Sequence, residues 1–248
     1  LSRPVPDLLL VAHGSASHPG SVVPVLELAR LTAARGVFRQ VKAVFMKTRP
    51  AAQPAEIEAG RPTIVMPIFI GRGYYTETLV PDALGIKDDP LIVYTPPIGA
   101  DPAFPAILMK RAVTAAAQAG LSCGSATLYL VAHGSARPGG NSATADAILD
   151  AMRRMAVFEH VELGFLEQNP KAEFWRDSHP DSPIIALPLL VAAGAHTSHD
   201  MPRIFGFGDG AFGIRRERGR CVVLVSSIEI ESDLVDLVIE LANRHRDQ

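Results

Sequence analysis

Hydrophobic and polar positions fall into blocks that run twice along this chain in the same order. Leu8–Ala12 and Leu128–Ala132 are short Leu- and Val-rich runs that stop at His-Gly-Ser, the pattern of a buried parallel strand ending in a turn. Val22–Ala34 and Ser142–Met155 follow with apolar residues at helical spacing: Leu26, Ala29 and Ala33 in the first, Ile148, Met152 and Met155 in the second. Val41–Met46 and Val161–Leu166, then Thr63–Ile70 and Ile184–Val191, have the length and content of strands. Thr76 and Ser198 suit helix N-caps. Leu91–Thr95 and Val222–Val225 end the strand series, and Ala106–Ala117 and Asp233–Arg244 read as closing helices. Strands alternating with helices predict an α/β fold, each half a parallel sheet of about four strands flanked by helices on both faces.

The repetition is one of register as well as of pattern. LLVAHGSA at residues 9–16 and YLVAHGSA at residues 129–136 place His13 and His133 in one local context 120 positions apart. Phe45-Met46-Lys47-Thr48-Arg49-Pro50 faces Phe165-Leu166-Glu167-Gln168-Asn169-Pro170 at the same offset, and Pro67-Ile68-Phe69 faces Pro188-Leu189-Leu190 at 121. Such agreement predicts a duplicated unit, with residues 1–121 as one half and 122–248 as the other, and terminal helices able to cross between them. The halves differ most between Pro202 and Val222, where the second is about ten residues longer. That insertion, with Gly206-Phe207-Gly208-Asp209-Gly210 and Arg215-Arg216-Glu217-Arg218, reads as a long, flexible, basic loop.

Composition removes several functions. A formal net charge of −2 argues against a dedicated nucleic-acid binder. The two cysteines, Cys123 and Cys221, form neither a disulfide framework nor a zinc motif and suit a reducing cytoplasm. The longest apolar run, Ile184 to Ala195, is interrupted by Pro188 and Gly194, so no membrane span is expected. Leu1 leads through Pro4-Val5-Pro6 directly into a strand, with no signal-peptide pattern. Ser135 lies in His-Gly-Ser-Ala-Arg rather than a GxSxG elbow, which disfavours a serine hydrolase. The glycines of 206–210 do not link a strand to a helix as a dinucleotide fingerprint requires, and no P-loop is present.

Ligands of open parallel sheets bind beyond the carboxyl ends of the strands. The strand pattern sends His13, Lys47 and Tyr75 there from the first half, and His133, Glu167 and His196 from the second. Two imidazoles and a carboxylate suit a borderline divalent ion such as Fe²⁺, Co²⁺ or Ni²⁺, whereas a lysine in the matching place repels a cation. The second half is therefore expected to carry metal chemistry and the first to support it. His13 is either a remnant of the duplication or a substrate contact, and His199, three residues after His196, is a surface histidine or an entry ligand.

These residues resemble the sirohydrochlorin chelatases, the class II tetrapyrrole chelatases of the CbiX and SirB type. The resemblance rests on Leu-Val-Ala-His-Gly-Ser at a strand end, Phe-Leu-Glu before Pro170, and Pro188-Leu189-Leu190 leading to Gly194-Ala195-His196 and Asp200-Met201-Pro202. It covers essentially the whole chain, in the long form that fuses two copies of a short unit. It implies two Rossmann-like halves with the active-site cleft between them. It also implies ATP-independent insertion of Fe²⁺ or Co²⁺, a substrate rather than a bound cofactor, into sirohydrochlorin for sirohaem or cobalamin. His133, His196 and Glu167 are then both metal ligands and catalytic groups. An imidazole of pKa about 6.5 suits removal of a pyrrole proton, and an incomplete ligand set lets the ion leave. The substrate's eight carboxylates call for cations: Arg137, Arg215, Arg216 and Arg218 are the candidates, with Arg72 and Arg203 behind them. Ser135 and His13 join them as substrate contacts. A non-catalytic metal or tetrapyrrole carrier is the alternative use of the same residues. The expected partners are a small tetrapyrrole and a divalent ion, without nucleic acid or membrane, for a monomer or homodimer.

Overall fold

A computed structural model describes residues 4–86, 89–134, 142–189, 199–226 and 232–246. They form two compact units: unit 1 is Leu1–Asp101 with Glu229–Gln248, and unit 2 is Pro102–Ile228.

In unit 1 the strands β1 (Asp7–Ala12), β2 (Val41–Phe45), β3 (Thr63–Pro67) and β4 (Ile92–Tyr94) form a parallel sheet in the order β2-β1-β3-β4. Both faces are buried, as near-continuous apolar strands require. Leu9, Val11 and Val65 pack on one face with Val80 and Leu84 of the short helix α2 (Val80–Leu84). On the other, α1 (Val23–Ala34) lies along β1 and β2. The buried stripe of α1 is Val25, Leu28, Ala29 and Thr32, an i, i+3, i+4, i+7 set. Leu26, expected in that stripe, is exposed together with Val23.

Unit 2 repeats the plan. Strands β5 (Thr127–Ala132), β6 (His160–Phe165), β7 (Ile184–Pro188) and β9 (Arg220–Leu224) are parallel, and β8 (Gly213–Glu217) adds an antiparallel edge to give the order β6-β5-β7-β9-β8. Trp175 is fully buried among Tyr129, Ile184, Phe205 and Met201 of the short helix α5 (Met201–Ile204), and its Nε1–H donates to the carbonyl of Ile204 at 2.9 Å. The opposite face is covered by α3 (Phe104–Gln118) on β7 and α4 (Ser142–Arg154) on β6. In α4 the buried positions are Ala145, Ile148 and Met152, and Met155 lies beyond the helix end, partly exposed.

The closing helices pack away from the sequence halves they end. Helix α3 follows the first set of strands but packs in unit 2, whereas α6 (Ser232–Arg246) follows the second set and packs on α1 and β3 of unit 1. Arg35 of the α1 end pairs with Asp236 at 2.9 Å, and Arg244 pairs with the buried Asp101.

The expected basic loop is largely a hairpin. Glu217 faces Arg220 across a two-residue turn in which Arg218 (φ 50°) and Gly219 (φ 85°) both adopt positive φ. Turns of that kind match the twist of paired strands. Their signal here is one glycine behind an arginine, in a segment whose charge reads as loop. The helix expected near Thr76 begins as a π-turn, Tyr75–Leu79, that runs into α2.

Candidate functional site

His13 and His133 occupy equivalent places. Each follows a central strand, β1 or β5, at the point where the chain has built one neighbour (β2, β6) and crosses to the other side (β3, β7). Crevices at the carboxyl ends of strands open at such reversals. The backbone fixes both turns in the same way. Met46 and Lys47 N–H donate to the carbonyls of Ala12 and His13 at 2.9 and 2.8 Å, and Leu166 and Glu167 N–H donate to those of Ala132 and His133 at 3.0 Å each. Gly14 and Gly134 then turn with φ of 64° and 75°. A Cβ on Gly134 would lie 2.8 Å from Cγ of Gln168 and 3.1 Å from Cβ of Phe165, so the turn sits directly on the exit of the neighbouring strand. This contact sets His133 beside Glu167.

The side chains follow from that frame. His133 Nδ1 lies 3.0 Å from the carbonyl of Gly134, and His13 Nδ1 lies 2.8 Å from that of Gly14. A carbonyl only accepts, so Nδ1 donates this bond; in the neutral ring the lone pair is then on Nε2, the form in which histidine binds metals. His133 Nε2 is 3.8 Å from Oε1 of Glu167, and both side chains are about two-fifths exposed (41% and 43%). That gap is too wide for a hydrogen bond. It is near the separation of two ligands that share one ion at bond lengths of roughly 2.0–2.2 Å.

Unit 1 places different chemistry on the same frame. The Tyr75 ring stands 4.9 Å from the His13 imidazole at a 54° tilt, and Phe69 stacks behind it at 6.0 Å. Lys47 Nζ lies 5.9 Å from the Tyr75 ring centroid. Among the described residues no group of three His, Cys, Asp or Glu side chains is arranged to hold a metal ion. The pair His133–Glu167 is what the described part of unit 2 brings together. His196, Ser135 and Arg137 lie outside the described residues.

The remaining sequence candidates sit elsewhere in unit 2. Arg215, in the middle of β8, donates to Glu217 at 2.6 Å and to the carbonyl of Phe205 at 3.0 Å, with its guanidinium over the Phe207 ring. Arg216 is exposed on the outer edge of the sheet, opposite Cys221. Arg218 is in the hairpin turn, next to the start of β9 and so at the sheet edge opposite that of His133. His199 Nδ1 stands 3.7 Å from Asp209. One cation passed over by the sequence reading is Arg49, at the exit of β2. Its signal was available: in the repeat comparison it faces Asn169, as Lys47 faces Glu167.

Known proteins share this fold. The CbiX family model matches the chain twice, over residues 7–115 and 127–244. A Halobacterium salinarum protein named probable sirohydrochlorin cobaltochelatase is 30% identical over 225 residues, which are 79% of this chain and 75% of the relative. Two solved structures have the same fold. DR2241 from Deinococcus radiodurans, a multi-domain protein similar to chelatases, aligns with a TM-score of 0.78 at 21% identity, covering 99% of this chain, which spans 56% of that longer protein. SirB from Bacillus subtilis with Fe³⁺ aligns with a TM-score of 0.71 at 16% identity, covering 99% of this chain and 98% of SirB. With both repeats matched, and with one strand-end histidine turn in each unit, the chain belongs to the CbiX family of sirohydrochlorin chelatases.

Proposed function

We propose that the chain inserts Fe²⁺ or Co²⁺ into sirohydrochlorin without a nucleotide, and that the ion is held at the carboxyl edge of unit 2. The observation that carries this reading is the His133 imidazole. Its Nδ1–H is committed to Gly134, and its Nε2 stands 3.8 Å from the Glu167 carboxylate. His196, which follows β7 in sequence, is the third ligand of the reading. Insertion exchanges one M²⁺ for two pyrrole protons. An imidazole accepts one at neutral pH, and the half-exposed Glu167 carboxylate offsets the ion's charge and passes protons to water. An ion held by two imidazoles and a carboxylate keeps open positions for ring nitrogens. The free thiols Cys123 and Cys221 suit a reducing compartment, and among the described residues no helix is long and apolar enough to cross a membrane.

The cobaltochelatase name of one relative and the iron in SirB support both ions as substrates. Mixing the protein with sirohydrochlorin and either ion, and following the visible spectrum, tests the proposal. Many turnovers per chain are expected, and none after His196→Ala in a protein with unchanged circular dichroism. Stoichiometric uptake without turnover would make it a carrier and overturn the assignment.

A further inference from the structure

Ion pairs hold most of the arginines of unit 1. Arg30 pairs with Glu27, Arg35 with Asp236, Arg39 with Asp7 and Glu58, Arg61 with Glu58, and Arg244 with Asp101. Lys42, Lys47, Arg49 and Arg72 pair with no carboxylate among the described residues; Lys42 is half-buried near the start of β2, and the other three are exposed. Those three share one location. Lys47 and Arg49 follow β2, Arg72 follows β3, and these parallel strands flank β1 with His13 at its end. Strands two places apart stand roughly 10 Å from one another. The unpaired charges therefore bracket the His13–Tyr75 ring pair.

Behind Arg72 lies an open hollow of about 450 Å³ whose walls include Thr76, Glu77, Tyr94, Thr95 and His245. His245 Nδ1 is hydrogen-bonded to the carbonyl of Leu241 at 3.0 Å, which leaves Nε2 for a ligand. Glu77 puts a carboxylate in the hollow, and the buried Thr76 and Thr95 hydroxyls are bonded to Gly73 and to the carbonyl of Pro96, so Arg72 at its mouth is the group that suits an anion. In unit 2 Arg176 and Arg215 are bound to Glu217, and Arg220 donates to the carbonyls of Ser178, His179 and Ser182. The exposed Arg154, Arg216 and Arg218 also pair with no carboxylate among the described residues, but Arg154 ends α4 ahead of β6, Arg216 lies on the outer strand β8 and Arg218 precedes β9, away from the His133 turn. Unpaired guanidinium and ammonium groups on a wet edge, set around two aromatic rings, fit a polyanion with an aromatic body.

We infer that the carboxyl edge of unit 1 grips the carboxylate arms of the tetrapyrrole, with Lys47 and Arg49 on one side of the His13–Tyr75 pair and Arg72 on the other. This rests on the chelatase reading and divides its labour: unit 2 handles the ion and unit 1 the anionic ring. The replacement of a carboxylate by Lys47 and of a histidine by Tyr75 is then a change of ligand, from a cation to an anion.

The test measures binding of metal-free sirohydrochlorin by its fluorescence, apart from metallation. The triple variant K47M/R49M/R72M is compared with wild type, with the charge-retaining K47R/R49K/R72K, and with Arg30→Met as a remote control. Each lost charge-assisted contact is expected to weaken binding about 5–20-fold. The triple variant should also show a shallower salt dependence, and the loss should appear in KM more than in kcat. The charge-retaining variant should recover most of the affinity, and Arg30→Met should match wild type. Unchanged affinity and salt slope in the triple variant, with metallation intact in wild type, overturn this inference alone. A folded wild-type protein that neither binds nor metallates sirohydrochlorin overturns both it and the chelatase reading.

Discussion

Duplication supplies an internal control for the histidine turn, through Gly134→Ala and Gly14→Ala. Both glycines have positive φ, so an alanine costs about 1–2 kcal/mol of backbone strain at either place. The added methyl meets different neighbours. At Gly14 it would lie 2.8 Å from Cβ of Phe45 and 3.0 Å from Cγ2 of Thr48, atoms close to the backbone that cannot swing away. At Gly134 the nearest atom is Cγ of Gln168, on a flexible side chain, with Cβ of Phe165 at 3.1 Å. Gly14→Ala should therefore be the more destabilising, by about 2–4 kcal/mol against about 1–2, or roughly 5–10 °C against 3–6 °C in Tm. Function should follow the opposite order. Gly134→Ala displaces the turn that holds His133 and pushes on the residue next to Glu167. Its Co²⁺ affinity should fall about 10–100-fold and its kcat/KM for metallation by about 10²-fold. Gly14→Ala should leave Co²⁺ affinity within about twofold of wild type and raise KM for the tetrapyrrole. Calorimetry for the ion, thermal melts and steady-state metallation supply the three quantities. If the less stable variant is also the one that loses Co²⁺, the assignment of the ion to unit 2 is refuted.

Two further predictions concern the replaced residues and the buried phenol. The double variant K47E/Y75H should raise the Co²⁺ stoichiometry from one toward two per chain in calorimetric titration and weaken sirohydrochlorin binding; an unchanged stoichiometry would show that the unit 1 frame does not present a metal set. Burial, with Glu162 nearby, pushes the Tyr129 phenol from 10.0 up to about 12. A raised phenol pKa means that the unfolded chain ionises first, so this stability is complete below pH 10 and is lost as pH rises to 12, by about 2–3 kcal/mol. Urea denaturation between pH 9 and 11.5 should show the loss, with a shallower alkaline slope in Tyr129→Phe; equal slopes would contradict the reasoning.

Much of this was legible because the chain repeats. The parallel strands and their exits follow from apolar runs that stop at His-Gly-Ser and at Pro, and the chemical difference between Lys47 and Glu167 needed only the two halves side by side. The hairpin was hidden for a physical reason. Ile214 and Arg216 alternate with Arg215 and Glu217, but an edge strand half in water has no apolar run, and its turn rests on Arg218-Gly219. The fate of the arginines was hidden as well. Charge is written in the sequence, while pairing depends on which carboxylates tertiary structure brings near. Arg215 is committed to Glu217 and the Phe205 carbonyl, and Arg72 to no carboxylate among the described residues. The exchange of α3 and α6 between units follows from packing against α4 and α1, which no local pattern in either helix encodes.

The central claim is that the two matched histidines do different work, and Co²⁺ binding by His133→Ala and His13→Ala tests it most directly. Both variants remove one imidazole from one exposed turn, so their folds and melting temperatures should agree with wild type. His133→Ala should weaken Co²⁺ binding by about 100-fold or more while His13→Ala should leave it within about twofold, since His133 has the Glu167 carboxylate 3.8 Å away and Lys47 stands in the matching place after β2. Equal losses in the two variants, or a loss confined to His13→Ala, would contradict it.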